Sequence, residues 1–323
     1  MLDQYGRKIE YLRISITDRC NLRCRYCMPE GVACESHDDI LRYEEILRLC
    51  RAAVALGITR FKITGGEPLV RKGCTELIAA LKAMPGVEQV TLTTNGLLLQ
   101  RELDALCAAG LDAGNISLDT LDAEKFRRIT GYAQFSPAGL RALLADCCAR
   151  GLRTKLNAVL LEENREEVTA LAALAGDYPV DVRFIELMPI GYGGTLGRVS
   201  PDEVLASLRE RWPDLRPTAE KRGNGPAHYY RSDALQGRIG FIDAVSHVFC
   251  ADCNRVRLTS TGQLKPCLSF ESTADLRALL RAGCDDAQLQ EALREAIYHK
   301  PRAHSFDRRE NMTEHRIMSQ IGG

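Results

Sequence analysis

Apolar and β-branched residues gather in short runs along the first two-thirds of the chain, at residues 11–17, 61–64, 90–94, 115–118, 154–160 and 182–187. Runs of this length, bounded by turn residues, predict buried strands. Between most of them the apolar spacing becomes helical. Residues 43–56 set Ile46, Leu47, Leu49, Cys50, Val54 and Leu56 near one face and stop at Gly57. Residues 140–149 stop at Gly151 and residues 168–175 at Gly176, because a glycine past a helix tolerates the left-handed conformation. Ser200, Pro201 and Glu203 predict an N-cap, a first-turn proline and a capping box. Six strand–helix units in a row imply an α/β fold with a parallel sheet, closed as a partial barrel or open and doubly wound. Either arrangement gathers ligands at the C-terminal ends of the strands.

The alternation breaks at residues 213–226, where three prolines, two glycines and several charges read as a linker or loop. Beyond it lie short strand-like pieces at 229–231, 239–242 and 256–259 and helices at 275–281 and 287–298. The division expected is a barrel unit over 1–215 and a C-terminal α+β extension over 216–323. Residues 191–197 are glycine-rich, fit no phosphate-loop spacing, and read as a mobile loop.

Composition narrows the function classes. The chain has 323 residues, 43 Lys plus Arg against 43 Asp plus Glu, and therefore no formal net charge. That disfavours a nucleic-acid partner, which calls for a basic surface. No apolar run suits a membrane span, and the start shows no apolar signal-peptide region, so a soluble cytoplasmic protein is expected. Thirteen cysteines are unusual for such a chain. In a reducing compartment, clustered cysteines more often hold metal or act in catalysis than form disulfides.

Two cysteine groups stand out. Cys20, Cys24 and Cys27 form C-x3-C-x2-C directly after the first strand. Three thiolates do not complete a structural zinc site; on a cubane cluster they leave one iron open to other ligands. Cys250, Cys253 and Cys267 form the second group, with Cys284 available as a fourth ligand if that site were zinc. Cys34, Cys50, Cys74, Cys107, Cys147 and Cys148 are expected to be mostly buried small residues. Arg255 and Arg257 lie two apart in a strand and point the same way. Arg13, Lys62, Lys155 and Arg183 also fall within strands, where a cation needs a partner. Together they suggest a polyphosphate site.

The first spacing, with Tyr26 before the third cysteine and Gly65-Gly66-Glu67-Pro68 after the second strand, resembles the radical S-adenosylmethionine (SAM) superfamily. The resemblance implies a partial (βα)6 barrel, a 4Fe-4S cluster on Cys20, Cys24 and Cys27, and SAM contacts at Tyr26, Gly66, Ser117 and Met188. Nearly the whole chain, from Leu12-Arg-Ile-Ser-Ile-Thr-Asp-Arg-Cys20 through Phe249-Cys-Ala-Asp-Cys-Asn-Arg-Val-Arg-Leu to the terminal Ile321-Gly-Gly, is similar to the GTP 3′,8-cyclases of molybdenum-cofactor biosynthesis. That similarity implies conversion of GTP to (8S)-3′,8-cyclo-7,8-dihydroguanosine 5′-triphosphate. It implies a second 4Fe-4S cluster, on Cys250, Cys253 and Cys267 in the extension, that binds the guanine. GTP contacts would be Arg13, Lys62, Thr93, Lys155, Arg183, Arg255, Val256 and Arg257.

The same resemblance brings Gly322 and Gly323 into the active site, near Arg13 or Arg257. It also implies an external electron donor and, downstream, a cyclic pyranopterin monophosphate synthase. No side chain is assigned as acid or base. A radical SAM peptide-modifying enzyme and a zinc-binding adaptor are the alternatives. The oligomeric state is open, a homodimer included.

Overall fold

The computed structural model describes residues 1–29 and 33–322, so Gly323 and part of the loop after Cys27 lie outside the described residues. All six runs form strands: β1 (Tyr11–Ser15), β2 (Arg60–Thr64), β3 (Gln89–Thr94), β4 (Ala113–Ser117), β5 (Arg153–Val159) and β6 (Asp181–Ile185). Each pairs in parallel with the next. Parallel pairing demands crossovers, which α1 (Tyr43–Ala55), α2 (Cys74–Lys82), α3 (Leu99–Ala108), α4 (Ala123–Thr130), α5 (Pro137–Ala149) and α6 (Val168–Asp177) supply. The helix α7 (Pro201–Arg211) follows β6.

Local chemistry sets the helix ends. The Glu45 carboxylate accepts the Arg42 N–H at 2.7 Å at the start of α1, and Gly57 ends it at φ +84°. Two expectations change. Gly176 does not stop α6 but lies inside its last turn, and the helix runs on to Asp177. Ser200 stands at the N-cap position of α7 but its side chain makes no capping bond, and Glu203 pairs with Arg165 at 2.7 Å instead of closing a capping box.

The chain after residue 215 extends the sheet at both edges. It forms β7 (Arg216–Thr218), β8 (His228–Arg231), β9 (Ile239–Ile242), β10 (Arg255–Leu258), β11 (Gln263–Lys265) and β12 (Ala274–Asp275). β9 joins β6 in parallel, with Arg183 opposite Gly240. β10 joins β1 in parallel, with Arg13 opposite Arg257. Among the described residues the result is one sheet in the order β12-β11-β10-β1-β2-β3-β4-β5-β6-β9-β8-β7. α8 (Leu276–Arg281) and α9 (Asp286–Tyr298) follow β12, and α9 packs on α1. A short α10 (Met318–Ile321) ends the described chain.

The sheet curls. In a flat sheet β1 and β6 would lie about 24 Å apart, at about 4.8 Å per strand. Yet Arg13 on β1 and Arg183 on β6 line one cavity, and the Arg183 charge adds to burial in disfavouring the charged form of Arg13. This is the partial barrel. Its outer face is sealed by apolar helix faces packed on Leu12, Ile14, Phe61, Ile63, Leu92, Leu156 and Phe184. No helix among the described residues is long and apolar enough to cross a membrane.

Candidate active site

A cavity of about 520 Å³ runs through the barrel from the C-terminal to the N-terminal ends of the strands, within the roughly 300–1,000 Å³ of small-molecule sites.

At the C-terminal end stand Cys20, Cys24 and Cys27. Their loop is held by backbone bonds from Arg23 N–H to the Thr130 carbonyl (2.7 Å) and from Arg25 N–H to that of Ile129 (3.0 Å). The Cys20 sulfur accepts the Leu22 N–H at 3.3 Å. Burial pushes the Cys27 thiol up to about 12, with the charges of Cys20 and Asp119 adding to it, and Cys24 is raised for the same kind of reason. Three half-buried thiols that resist ionising together suit a cationic metal cluster, which supplies the missing positive charge.

Gly65 and Gly66 seat the next turn on this loop. A Cβ on Gly66 would lie 2.5 Å from the Arg19 carbonyl oxygen, and one on Gly65 2.5 Å from that of Thr17. The close approach that needs these glycines is therefore to residues 17–19 of the chain itself, although Gly66 also faces the cavity. Glu67 is fully buried and accepts from Leu69 N–H (3.1 Å), Thr94 Oγ1 (2.8 Å) and Asn95 N–H (2.6 Å). It ties this turn to the end of β3. Ser117, Met188 and Tyr26 line the same end, and the Tyr26 hydroxyl donates to Asp119 at 2.8 Å. Residues 191–195 form a 3-10 turn, not a loose loop; Gly193 is buried against the Met188 carbonyl.

A belt of cations crosses the middle. Register sets Arg257 beside Arg13 and Arg13 beside Lys62. Lys62 and Arg257 are buried, and burial first, then the neighbouring cations, hold both well below their ordinary range. Asn115, with its amide oxygen turned to them, accepts from Arg183 (3.1 Å) and Lys62. Arg183 also donates to Asn157 Oδ1 at 2.6 Å. Gly240 makes room for it, since a Cβ there would sit 2.9 Å from Arg183 Cγ. Lys155 donates to the Tyr229 hydroxyl at 2.9 Å. Thr93 and Arg255 complete the lining, and Arg255 lies over the Phe249 ring at 5.2 Å. Val256 does not join them: its side chain points to the opposite face of β10 and is buried in the core.

Cys250 and Cys253 precede the N-terminal end of β10 and Cys267 follows its antiparallel neighbour β11, whereas the first group follows the C-terminal end of β1. Because β10 and β1 are parallel neighbours, the groups sit at opposite ends of the barrel. Cys250, Cys253 and Cys267 do not line the cavity directly, but Arg255 does, two residues beyond Cys253. Cys250 senses the charges of Cys267 and Cys253, and its sulfur accepts the His304 N–H at 3.4 Å. Arg7, paired with Asp3 at 2.6 Å, donates to the Cys250 carbonyl at 2.9 Å. Cys284 instead lies at the foot of α9, where its carbonyl accepts from Arg48.

The tail folds back into this region. The Gly322 carbonyl accepts from Arg257, and Gly322 takes φ +79° against Ser15. A buried Lys265–Glu314 pair anchors the segment that leads to it. Of the remaining cysteines, Cys50, Cys74 and Cys147 are buried, Cys107 and Cys148 half-buried, and Cys34 exposed, outside any helix.

Residues 14–175 match the radical SAM superfamily, and residues 180–306 match Molybdenum Cofactor Synthesis C. Over the whole of both chains, this sequence is 46% identical to a GTP 3′,8-cyclase of Heliobacterium modesticaldum and 41% identical to one of Clostridium perfringens. The chain belongs to the GTP 3′,8-cyclase family. Among solved structures it resembles Streptococcus suis SuiB bound to S-adenosylmethionine, with TM-score 0.63 and 18% identity over 93% of this chain and 68% of that one, a likeness of fold. As a GTP 3′,8-cyclase family member it is a radical SAM enzyme that uses SAM and an iron–sulfur cluster.

Sequence reasoning missed several residues of this family member's site. Asn95, Asn115, Asn157, Asp119 and Asp181 all line the cavity. They are uncharged or acidic residues, Asn115 and Asn157 within strands and the others at or just beyond strand ends, that only the register brings to the cations. Lys221, Arg222 and Asn224 sit in the segment read as a linker, yet they line the cavity too.

Proposed function

We propose that the cavity of this GTP 3′,8-cyclase holds SAM at the Cys20–Cys24–Cys27 end and GTP along the cation belt, with a second 4Fe-4S cluster on Cys250, Cys253 and Cys267. The observation that carries the reading is one continuous cavity joining three thiols at one end to the Arg13, Lys62, Lys155 and Arg183 cations. Bound at the first group, the cluster and SAM supply a hydrogen-abstracting carbon radical.

The protein's own residues do the rest. C3′ and C8, the atoms to be joined, belong to one GTP, so the cavity wall must hold them near attack geometry. Lys62, Lys155, Arg183 and Arg257 fix the triphosphate, at about 1.5–3 kcal/mol for each charge-assisted contact. Tyr26, within the cysteine loop and held by Asp119, faces the SAM end of the cavity. The Gly322 carbonyl holds the Arg257 guanidinium in place, toward the substrate. The reducing equivalent comes from an external donor.

The test is a pair of cysteine variants, reconstituted without oxygen. Cys20→Ala should abolish SAM cleavage. Cys267→Ala should retain SAM cleavage uncoupled from product while stopping cyclisation. Normal product from Cys267→Ala would sink the two-cluster reading.

A further inference from the structure

Among the described residues, the exposed lining of the cavity, Arg153, Pro179, Lys221, Gly223 and Gly225, gathers where the N-terminal ends of β5 and β6 meet the segment 221–226, which makes a mouth there. That segment is pinned on both sides of the opening. Arg222 donates to Asp181, the first residue of β6, at 2.8 Å through Nη2 and at 3.3 Å through Nε. Two residues on, the Asn224 amide donates to Gln89, the first residue of β3. The segment thus crosses the mouth between β6 and β3. Gly223 takes φ +130° there, and a Cβ on it would lie 3.3 Å from Lys155 Nζ.

Asp181 is out of place by charge. It is a buried carboxylate in a cavity built of cations, and it would repel a polyphosphate. In this structure it accepts the Arg238 backbone N–H at 3.2 Å and holds two cations: Arg222 on the segment and Lys155 on the wall, the latter at 3.3 Å. An arriving anion with several charges competes for both.

We propose that Asp181 and Arg222 form the latch of the substrate mouth, holding the segment 221–226 across it until the nucleotide's phosphates draw Lys155 and Arg222 away. They are positioning residues, acting on access and not on the ring closure. The proposal rests on the reading that GTP occupies the cation belt.

The experiment measures GTP uptake and release separately, by rapid mixing and by filter chase, on the full chain with its clusters reconstituted. Arg222 is partly exposed, so Arg222→Ala should fold, and Asp181→Asn is the complementary variant. Because the latch is closed only in the substrate-free protein, losing a bidentate charge-assisted pair should speed uptake at least about tenfold and change release less, and Arg222→Lys should fall between. Trypsin should cut the segment at Lys221 or Arg222 faster in Asp181→Asn than in the parent. If Arg222→Ala exchanges GTP at the parent rates while Lys62→Ala loses GTP binding, the latch is wrong and the substrate reading stands. If Lys62→Ala and Arg183→Ala both bind GTP normally, the substrate reading falls and the latch with it.

Discussion

Lys155 offers a titration that reports on substrate binding. Burial first, and then the nearby Arg183, hold its ammonium down to about 8, with Asp181 opposing the shift. In the substrate-free protein Lys155 is therefore about nine-tenths charged at pH 7 and about one-tenth charged at pH 9. Only the charged form attracts phosphate. A GTP triphosphate is already fully ionised above pH 8, since a phosphate's last proton leaves near pH 6. GTP affinity should then fall about tenfold between pH 7 and pH 9, or about 1.4 kcal/mol. For the fold the sign is the reverse. The unfolded chain holds this proton up to 10.5 and the native state only to about 8, so the substrate-free protein gains stability as pH rises between those values. The assay is calorimetric GTP binding from pH 7 to 9.5, on the parent and on Lys155→Met. The variant should bind more weakly at pH 7 and lose the slope. A flat parent profile, or an equal slope in Lys155→Met, would refute the placement of Lys155 on the phosphates.

Two further outcomes follow from the same geometry. Arg255→Ala or Arg257→Ala should weaken GTP binding by about 1.5–3 kcal/mol and guanosine binding far less; equal losses for the two ligands would mean that neither arginine faces the phosphates. Glu67→Gln sets an amide N–H against the donors that now reach the carboxylate, from Leu69, Thr94 and Asn95. It should cost about 1–3 kcal/mol in denaturant unfolding and loosen SAM binding, and an unchanged midpoint with parent SAM affinity would show that the tie between the Gly65–Glu67 turn and β3 is dispensable.

The six strands were legible because parallel strands are covered on both faces and so read as near-continuous apolar runs. The cations were legible for the same reason: Lys62 and Arg183 stand out in a buried strand. Pairings across long stretches of sequence were not. Nothing near Ile239 or Val256 says that β9 and β10 dock in parallel on the two edges of the barrel, since their partners lie on β6 and β1. Residues 221–226 looked like a linker by composition. Their place over the mouth comes from Arg222 and Asp181, 41 residues apart. Gly176 shows the limit of reading glycine as a stop, because α6 runs through it to Asp177. Val256 follows the simple alternation of a strand, which separates it from the arginines on either side.

The central claim is that GTP lies in this cavity with C3′ facing the SAM end. Incubating the reduced, reconstituted protein with SAM and GTP deuterated at C3′ tests it most directly. Deuterium should appear in 5′-deoxyadenosine, at a rate matching cyclised product. A 5′-deoxyadenosine free of deuterium, formed while GTP is consumed, would contradict it.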